Sequence, residues 1–163
     1  MILQLRIDER LIHGQIAAAW GRALPINAIV CASDIAVNDP IRTKVLLMAA
    51  PPGIKARIKS TDDVIKLLSD PRADSMRILL ITDSPVSALK LVQSLEVPEV
   101  NVANYHTKMD VNDRKIKIFE TCVVDEEDLK AFTELAEASK EIYSQMVPSV
   151  EKRDFRSMLN SAQ

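Results

Sequence analysis

The sequence predicts an α/β fold of three layers, with a mostly parallel, Rossmann-like sheet between helices on both faces. Short apolar runs of strand length recur along the chain, and amphipathic stretches of helical length separate them. Two of the runs, residues 28–32 and 78–81, are continuously apolar, which is typical of strands buried on both faces of a sheet. We also expect a short antiparallel addition near the C-terminus.

The individual elements follow from this alternation. Strands are predicted at residues 2–7, 28–32, 54–58 and 78–81, at a fifth position after the fourth helix, and at 115–119 and 142–146. Asp39-Pro40 and Ser84-Pro85 each offer a helix N-cap followed by proline at the first helical position. Further helices are predicted over 15–24, from Thr61, which supplies a capping oxygen, and from Asp125 to about residue 140. The tail 151–155 is expected to be a surface helix or a frayed end.

Length and charge narrow the class of protein. The chain has 163 residues, which fits a single domain over 1–163. Its 21 lysine and arginine residues nearly balance 23 aspartate and glutamate residues, so we expect no nucleic-acid partner. No apolar stretch has the length of a signal peptide or a membrane-spanning helix, which favours a cytoplasmic location. Cys31 and Cys122 stand far apart in apolar runs and are interpreted as buried free thiols.

The first predicted strand-to-helix junction concentrates polar residues. Residues 6–15 read RIDERLIHGQ, at the carboxyl end of a strand, where parallel sheets bind ligands. The following helix directs free N–H groups towards this loop, which favours an anion. His13 is a candidate nucleophile towards phosphorus, Arg10 can neutralise the non-bridging oxygens, and Asp8 can hold the loop or the second imidazole nitrogen. Gly14 lets the backbone approach a ligand or turn tightly.

A structural interpretation of the same residues stays open. A histidine near a helix start is often a hydrogen-bonded structural residue. Arg10 could equally pair with Glu9 or with another surface acid, which contributes little to stability. The spacing alone therefore does not decide between a reactive and a structural histidine.

The string RIDERLIHGQ, with Trp20 seven residues beyond the histidine, resembles the signature of a known family. This is enzyme IIB of the mannose/fructose/sorbose family of the phosphoenolpyruvate-dependent sugar phosphotransferase system. The resemblance extends along nearly the whole chain. Asn38-Asp39-Pro40 is similar to the family's helix entry after the second strand, and Asn101-Val102 to the end of its fifth strand. Residues 141–148, EIYSQMVP, are similar to its last strand and exit.

The resemblance implies that His13 accepts a phosphoryl group from a phosphohistidine on a IIA protein or domain. His13 would then donate this group to a sugar bound by the membrane components IIC and IID. The activity would be that of a protein-Nπ-phosphohistidine–sugar phosphotransferase, cytoplasmic and peripherally associated with the membrane complex. Arg10 would stabilise the phosphoryl charge, and Asp8 would orient the loop or the imidazole. The phosphoryl loop would be completed by Leu11, Ile12, Gly14 and Gln15.

Further residues are expected around this loop. Possible neighbours of the phosphoryl group are Asn38, Asp39, Ser84 and His106. His106 is interpreted either as a contact to the phosphoryl group or the partner, or as an exposed loop imidazole. Ala103-Asn104 stand where the family often has two glycines, so either the backbone differs there or Asn104 is left-handed. Candidate contacts to an acidic rim of IIA are Arg6, Arg10, Lys44 and Lys108.

Two other functions stay open. A regulator could keep the fold and the histidine and bind a partner according to phosphorylation, without phosphorylating sugar. A nucleotide- or cofactor-binding domain would rest on fold analogy alone. The three glycines form neither a dinucleotide-binding nor a Walker motif, which favours a protein-borne phosphoryl donor over ATP. We predict neither metal nor cofactor, because Arg10 and the helix N–H groups can carry the phosphoryl charge.

Overall fold

The computed structural model describes residues 1–108 and 112–162, with the side chains of Gln15 and Ile16 outside the described part. Strands and helices alternate along it. The strands are β1 Ile2–Asp8, β2 Ala28–Ala32, β3 Lys55–Lys59, β4 Ile78–Thr82, β5 Val100–His106, β6 Ile116–Phe119, β7 Cys122–Val124, β8 Ile142–Ser144 and β9 Arg153–Asp154. The helices are α1 Gly14–Ala23, α2 Pro40–Met48, α3 Thr61–Ser69, α4 Pro85–Ser94, α5 Glu126–Ala138 and α6 Phe155–Ala162. Within the described ranges, none of them is long and apolar enough to span a bilayer.

The strands form a sheet in the order β3-β2-β4-β1-β5-β7-β6, and β8 and β9 extend it from the start of β5. Among the described residues, every pairing is parallel except β6 with β7 and β8 with β9. The predicted α/β class with a mostly parallel sheet and a C-terminal antiparallel addition is therefore confirmed. β1 lies between β4 and β5. The loop that leaves its carboxyl end is consequently surrounded by the loops of its neighbours.

Apolar residues fill both faces of this sheet. The alternation along β2 sends Val30 to one face and Ile29 and Cys31 to the other. Side chains of α3, α4, α5 and α6 pack on the first face, whereas α1 and α2 pack on the second, around Trp20. The three-layer prediction is confirmed, because both faces of the sheet are covered by helices.

The predicted N-caps are present at three helices. The side chains of Asp39, Ser84 and Asp125 each accept a hydrogen bond from the backbone N–H three residues further on. At α3 the prediction is wrong by one residue, because Ser60 caps this helix. The hydroxyl of Thr61 instead donates to Ser87 on α4, at 3.1 Å, and so links the starts of two neighbouring helices.

β5 is longer than the sequence suggests. It does not end near Asn101-Val102 but continues to His106, because β7 pairs with its last two residues. Asn104 is therefore part of a strand, and Leu11 is the one non-glycine residue with a positive φ in the described ranges. The alternative of a left-handed Asn104 is therefore wrong. The longer strand carries polar side chains to the carboxyl edge.

The C-terminal tail differs from the prediction of a surface helix or frayed end. Arg153–Asp154 pairs with β8, and Phe155 begins α6 with its side chain fully buried. The centroid of its ring lies 5.5 Å from that of Phe132 and 6.3 Å from that of Phe119. A single aromatic residue beside four charged ones produces no periodic signal, and its burial depends on contacts distant in the sequence.

Cys31 and Cys122 are buried free thiols, as predicted. Burial raises the pKa of the Cys31 thiol well above its usual range and raises that of Cys122 to about 12. Both therefore stay protonated at neutral pH and act as small apolar side chains.

Phe155→Ala is expected to lower the free energy of unfolding by about 3–5 kcal/mol, because it removes a buried ring from the aromatic cluster and leaves a cavity. Val150→Ala, at a side chain that is about half exposed, serves as the control and is expected to change stability by less than about 0.5 kcal/mol. Urea denaturation of both variants measures the difference. Equal stability of the two variants would show that α6 does not complete the core.

Candidate active site

The candidate site lies at the carboxyl edge of the sheet, where β1 ends. Asp8 is the last residue of β1 and is level with Asn104 of β5, while the preceding Ile7 is level with Thr82 of β4. Residues 9–13 then connect β1 to α1. The structure thus brings the predicted loop to the middle of the sheet edge, where ligands of open α/β sheets bind.

The carboxylate of Asp8 is fully buried and holds three side chains together. Its Oδ1 accepts hydrogen bonds from Nε of Arg10 at 3.0 Å and from the Arg10 backbone N–H at 3.1 Å. Its Oδ2 accepts from Nη2 of Arg10 at 3.0 Å and from Nη2 of Arg6 at 3.1 Å. Nε2 of His13 lies 3.3 Å from the same oxygen. Asp8 is therefore the centre of the site.

These partners keep Asp8 ionised. Burial alone would raise the pKa of this carboxyl, but the hydrogen bonds from His13 and Arg10 and the charge of Arg6 outweigh it. The pKa of Asp8 consequently lies well below its usual range. An ionised carboxylate only accepts hydrogen bonds, so Nε2 of a neutral His13 carries the proton and Nδ1 carries the lone pair. Among the described side chains, none donates a hydrogen bond to Nδ1.

Arg10 and Arg6 approach the same carboxylate from different environments. The side chain of Arg10 is 45% exposed, whereas that of Arg6 is completely buried. The Arg6 guanidinium lies 5.8 Å from the centroid of the Trp20 ring, and its Nη1 donates to the carbonyl oxygen of Gln145 at 3.4 Å. Burial lowers the pKa of Arg6, and the charge of Asp8 opposes this shift. The prediction that Arg6 contacts a partner protein is wrong, because no part of this side chain reaches the surface.

The loop backbone is held by two apolar side chains. Leu11 has a φ of 58° and is buried, and its N–H donates to the carbonyl oxygen of Asp8 at 2.9 Å. A left-handed conformation at a leucine costs on the order of 1–3 kcal/mol, and burial of Leu11 and Ile12 in the core around Trp20 offsets this. Gly14 has no positive φ, and a Cβ there would meet nothing within 4 Å. The conformation of Gly14 therefore does not require glycine, and the space beside it is open.

The start of α1 supplies further donors beside the histidine. His13 is the N-cap residue, but its side chain does not cap the helix. The first intrahelical bond runs from the N–H of Ala17 to the carbonyl oxygen of His13, at 3.0 Å. The N–H groups of residues 14–16 therefore have no partner within the helix and provide an anion-binding end. The side chain of Gln15, predicted to belong to this loop, lies outside the described residues.

The other predicted neighbours bind elsewhere. Nδ1 of His106 lies 2.9 Å from Oε1 of Glu9, and its backbone N–H donates to Oε2 of Glu9 at 3.0 Å. Asn38 donates to the carbonyl oxygen of Asp34, and Asp39 caps α2. Ser84 caps α4 and borders an open cleft of about 620 Å³ that Glu9 and His106 also line. These residues thus lie around the loop, and their hydrogen bonds are structural.

Sequence reasoning missed the contacts that Gln145 and Met146 make with the two arginines of the site. Sδ of Met146 lies 3.6 Å from Nη2 of Arg6 and 3.7 Å from Nη2 of Arg10. Asn101 holds the adjacent Gln145 through two hydrogen bonds, of 2.8 and 2.9 Å, to its backbone. Asn101-Val102 and EIYSQMVP appear in the sequence as family landmarks, but nothing in them indicates this contact. The available signal was Arg6, a positive charge in the middle of the central strand.

The fold and the site define an α/β protein with a partly exposed histidine paired with a buried aspartate at the carboxyl edge of its sheet. A family model described as the PTS system sorbose subfamily IIB component matches residues 2–163. A probable phosphotransferase enzyme IIB component of Streptococcus pyogenes serotype M6 is 36% identical over 166 residues, covering 98% of this chain and 100% of that protein. The chain therefore belongs to the sorbose subfamily of IIB components of the phosphotransferase system.

Two further proteins show the extent of the similarity. The mannose-specific EIIAB component of Escherichia coli strain K12 is 31% identical over 80% of this chain, which spans 39% of that longer protein. The IIB domain of the sorbose permease of Klebsiella pneumoniae has the same fold. Its crystal structure gives a TM-score of 0.90 at 24% identity and covers 100% of this chain and 98% of that one.

Asp8→Asn is expected to lower the free energy of unfolding at pH 7 by about 3–5 kcal/mol, because it leaves the buried charge of Arg6 uncompensated. The folded-state pKa of Asp8 lies below that of an unfolded carboxyl, about 3.9. The advantage of the wild type is therefore fully present above about pH 4 and shrinks as the pH falls towards the lower, folded pKa.

Urea titrations of both proteins between neutral and acidic pH measure this difference. Asp62→Asn, which breaks an exposed pair with Lys90, is the control and is expected to leave stability unchanged. A difference between wild type and Asp8→Asn that did not vary with pH would contradict the assignment of an ionised Asp8.

Proposed function

We propose that the protein is a phosphocarrier in which His13 accepts a phosphoryl group from phosphorylated IIA and donates it to a sugar presented by IIC and IID. The observation that carries this proposal is the orientation of His13. Asp8 engages Nε2 at 3.3 Å, which leaves the lone pair on Nδ1, and the imidazole is 24% exposed. The nucleophilic atom is thus Nδ1, which is the nitrogen called Nπ in the name of the expected activity.

In the first transfer each ring keeps its proton, and the positive charge moves from the donor ring to the ring of His13. The lone pair of Nδ1 attacks phosphorus as the bond to the donor imidazole breaks, and the donor nitrogen keeps the bonding electron pair. The donor ring, protonated on its other nitrogen, leaves as neutral imidazole. His13 keeps its proton on Nε2 and becomes a positively charged phosphoimidazole. The Asp8 carboxylate, which faces that N–H, stabilises the new charge.

The second transfer follows the same course. A sugar hydroxyl attacks phosphorus, the P–N bond breaks towards Nδ1, and the hydroxyl proton passes to water.

Transfer between two imidazoles is close to isoenergetic, so the task of the protein is to position the rings and to balance the charge on the phosphoryl oxygens. The guanidinium of Arg10 and the free N–H groups at the start of α1 are the groups available for this balance.

The partners of the proposal follow from the family. The name of the Escherichia coli relative joins a IIA and a IIB component in one protein, which supports IIA as the phosphoryl donor. Arg10, Lys44 and Lys108 are exposed and remain candidate contacts to an acidic rim of that donor. In this proposal the protein works in the cytoplasm and associates peripherally with IIC and IID.

His13→Ala is expected to abolish phosphorylation, because it removes the acceptor nitrogen. Reconstitution with phosphoenolpyruvate, enzyme I, the phosphocarrier protein HPr and a family IIA, followed by intact-mass analysis, measures it. His106→Ala, the matched histidine control, is expected to keep one acid-labile phosphoryl group. A label that persisted in His13→Ala would refute the site. A labelled wild type that kept its phosphoryl group with IIC/IID membranes and sugar would instead indicate a phosphorylation-dependent regulator.

Gly14→Ala is expected to slow transfer to His13 by about 10- to 100-fold while changing the free energy of unfolding by less than about 1 kcal/mol. Its Cβ meets nothing within 4 Å, but it occupies the approach to the free N–H groups beside His13. Single-turnover labelling and urea denaturation measure the two quantities. Gly21→Ala, two turns further along α1 with its Cβ 3.1 Å from Cδ1 of Ile54, is the control and is expected to transfer at the wild-type rate. A wild-type rate of transfer in Gly14→Ala would show that the open space beside Gly14 is not needed for phosphoryl transfer.

A further inference from the structure

Arg6 presents a fully buried positive charge that the proposed transfer does not use. Its guanidinium donates to Oδ2 of Asp8 through Nη2 at 3.1 Å and through Nε at 3.4 Å. A buried ion normally costs stability, and a second cation on Asp8 is redundant as long as Arg10 occupies the same carboxylate. The position of Arg6 therefore calls for a function during transfer.

Arg10 has two incompatible tasks in the proposed reaction. In the structure its Nε and Nη2 form a bidentate pair with Asp8, both at 3.0 Å. In the transfer step the same donors are needed on the phosphoryl oxygens. When Arg10 leaves, a carboxylate with no exposed surface loses two side-chain hydrogen bonds and one neighbouring charge. Without another cation this loss would be costly, and it would disturb the group that orients His13.

Arg6 is fixed where it can compensate for this loss. Besides Asp8, the Trp20 ring, the carbonyl oxygen of Gln145 and Sδ of Met146 contact its guanidinium. Arg10 contacts few such groups and its side chain is 45% exposed. Both Nη2 groups lie about the same distance from Oδ2, so their like charges repel each other. This repulsion weakens the hold of Asp8 on both arginines, and the exposed Arg10 is the one that can leave without exposing a buried charge.

We propose that Arg6 is a positioning residue, a permanent counter-ion that keeps Asp8 charged and bonded to His13 while Arg10 moves to the phosphoryl group. This inference rests on the proposed function. It assigns the two arginines different roles: Arg6 stays on Asp8 in both states, and Arg10 exchanges between the carboxylate and the phosphoryl oxygens.

The wild-type protein tests the exchange directly. Side-chain Nε–H resonances of the arginines, recorded by NMR before and after phosphorylation by the reconstituted system, report the partner of each guanidinium. The Arg10 signal is expected to shift on phosphorylation and the Arg6 signal to stay. A shifted Arg6 signal with an unchanged Arg10 signal would overturn the proposal. Absence of any phosphoryl group on His13 would instead refute the proposed function, before either arginine is considered.

Two matched variants test the charge of Arg6. Arg6→Gln keeps a donor for Asp8 but removes the charge, and it is expected to slow transfer at least about tenfold with an unchanged KM for phosphorylated IIA. Arg6→Lys keeps the charge but not the planar fork of donors, and is expected to transfer faster than Arg6→Gln and more slowly than the wild type. Arg72→Gln is the control, because Arg72 is also paired with a carboxylate, on Asp70, but is exposed and lies between α3 and β4, at the edge of the sheet opposite the site.

The outcomes separate a positioning role from a purely structural one. A loss of rate in Arg6→Gln that Arg6→Lys partly restores supports the proposal. Equal losses in both variants would overturn it, because they would show that shape rather than charge matters. A wild-type rate in Arg6→Gln would overturn it as well. If Arg6→Gln does not fold, the NMR comparison on the wild type decides alone.

Discussion

The buried carboxylate of Asp8 is the interaction on which the candidate site depends. An anion without exposed surface must have its oxygens paired, and here Arg6, Arg10 and His13 supply the donors. This requirement fixes the imidazole ring and determines which of its nitrogens keeps a lone pair. The chemistry of His13 is thus decided by a residue that takes no part in bond making or breaking.

The position of β1 in the sheet brings Asp8 and its partners together. β1 runs between β4 and β5, so its carboxyl end projects into the middle of the sheet edge. The chain then turns through Leu11, in a left-handed conformation, and enters α1 with unpaired N–H groups next to His13. The segment after β8 closes the site from behind through Gln145 and Met146. Parts of the chain that are distant in sequence therefore meet at the two arginines that hold Asp8.

Local signals predicted much of this structure. The caps at Asp39, Ser84 and Asp125 depend on a side chain and a backbone N–H three residues apart, so the sequence contains all that is needed. The loop with Asp8, Arg10 and His13 was likewise visible in one short string. Arg6 was misassigned to the surface, because its burial is set by residues about 140 positions later. The same reason explains the extension of β5, which depends on pairing with β7, and the buried ring of Phe155.

The location of Trp20 has a practical consequence. It is the single tryptophan of the chain, its indole N–H donates to the carbonyl oxygen of Met146 at 3.3 Å, and its ring lies 5.8 Å from the guanidinium of Arg6. The emission of a buried indole responds to the electric field of charges beside it. The molecule therefore contains its own fluorescent reporter, without any dye, for a change of charge around Arg6.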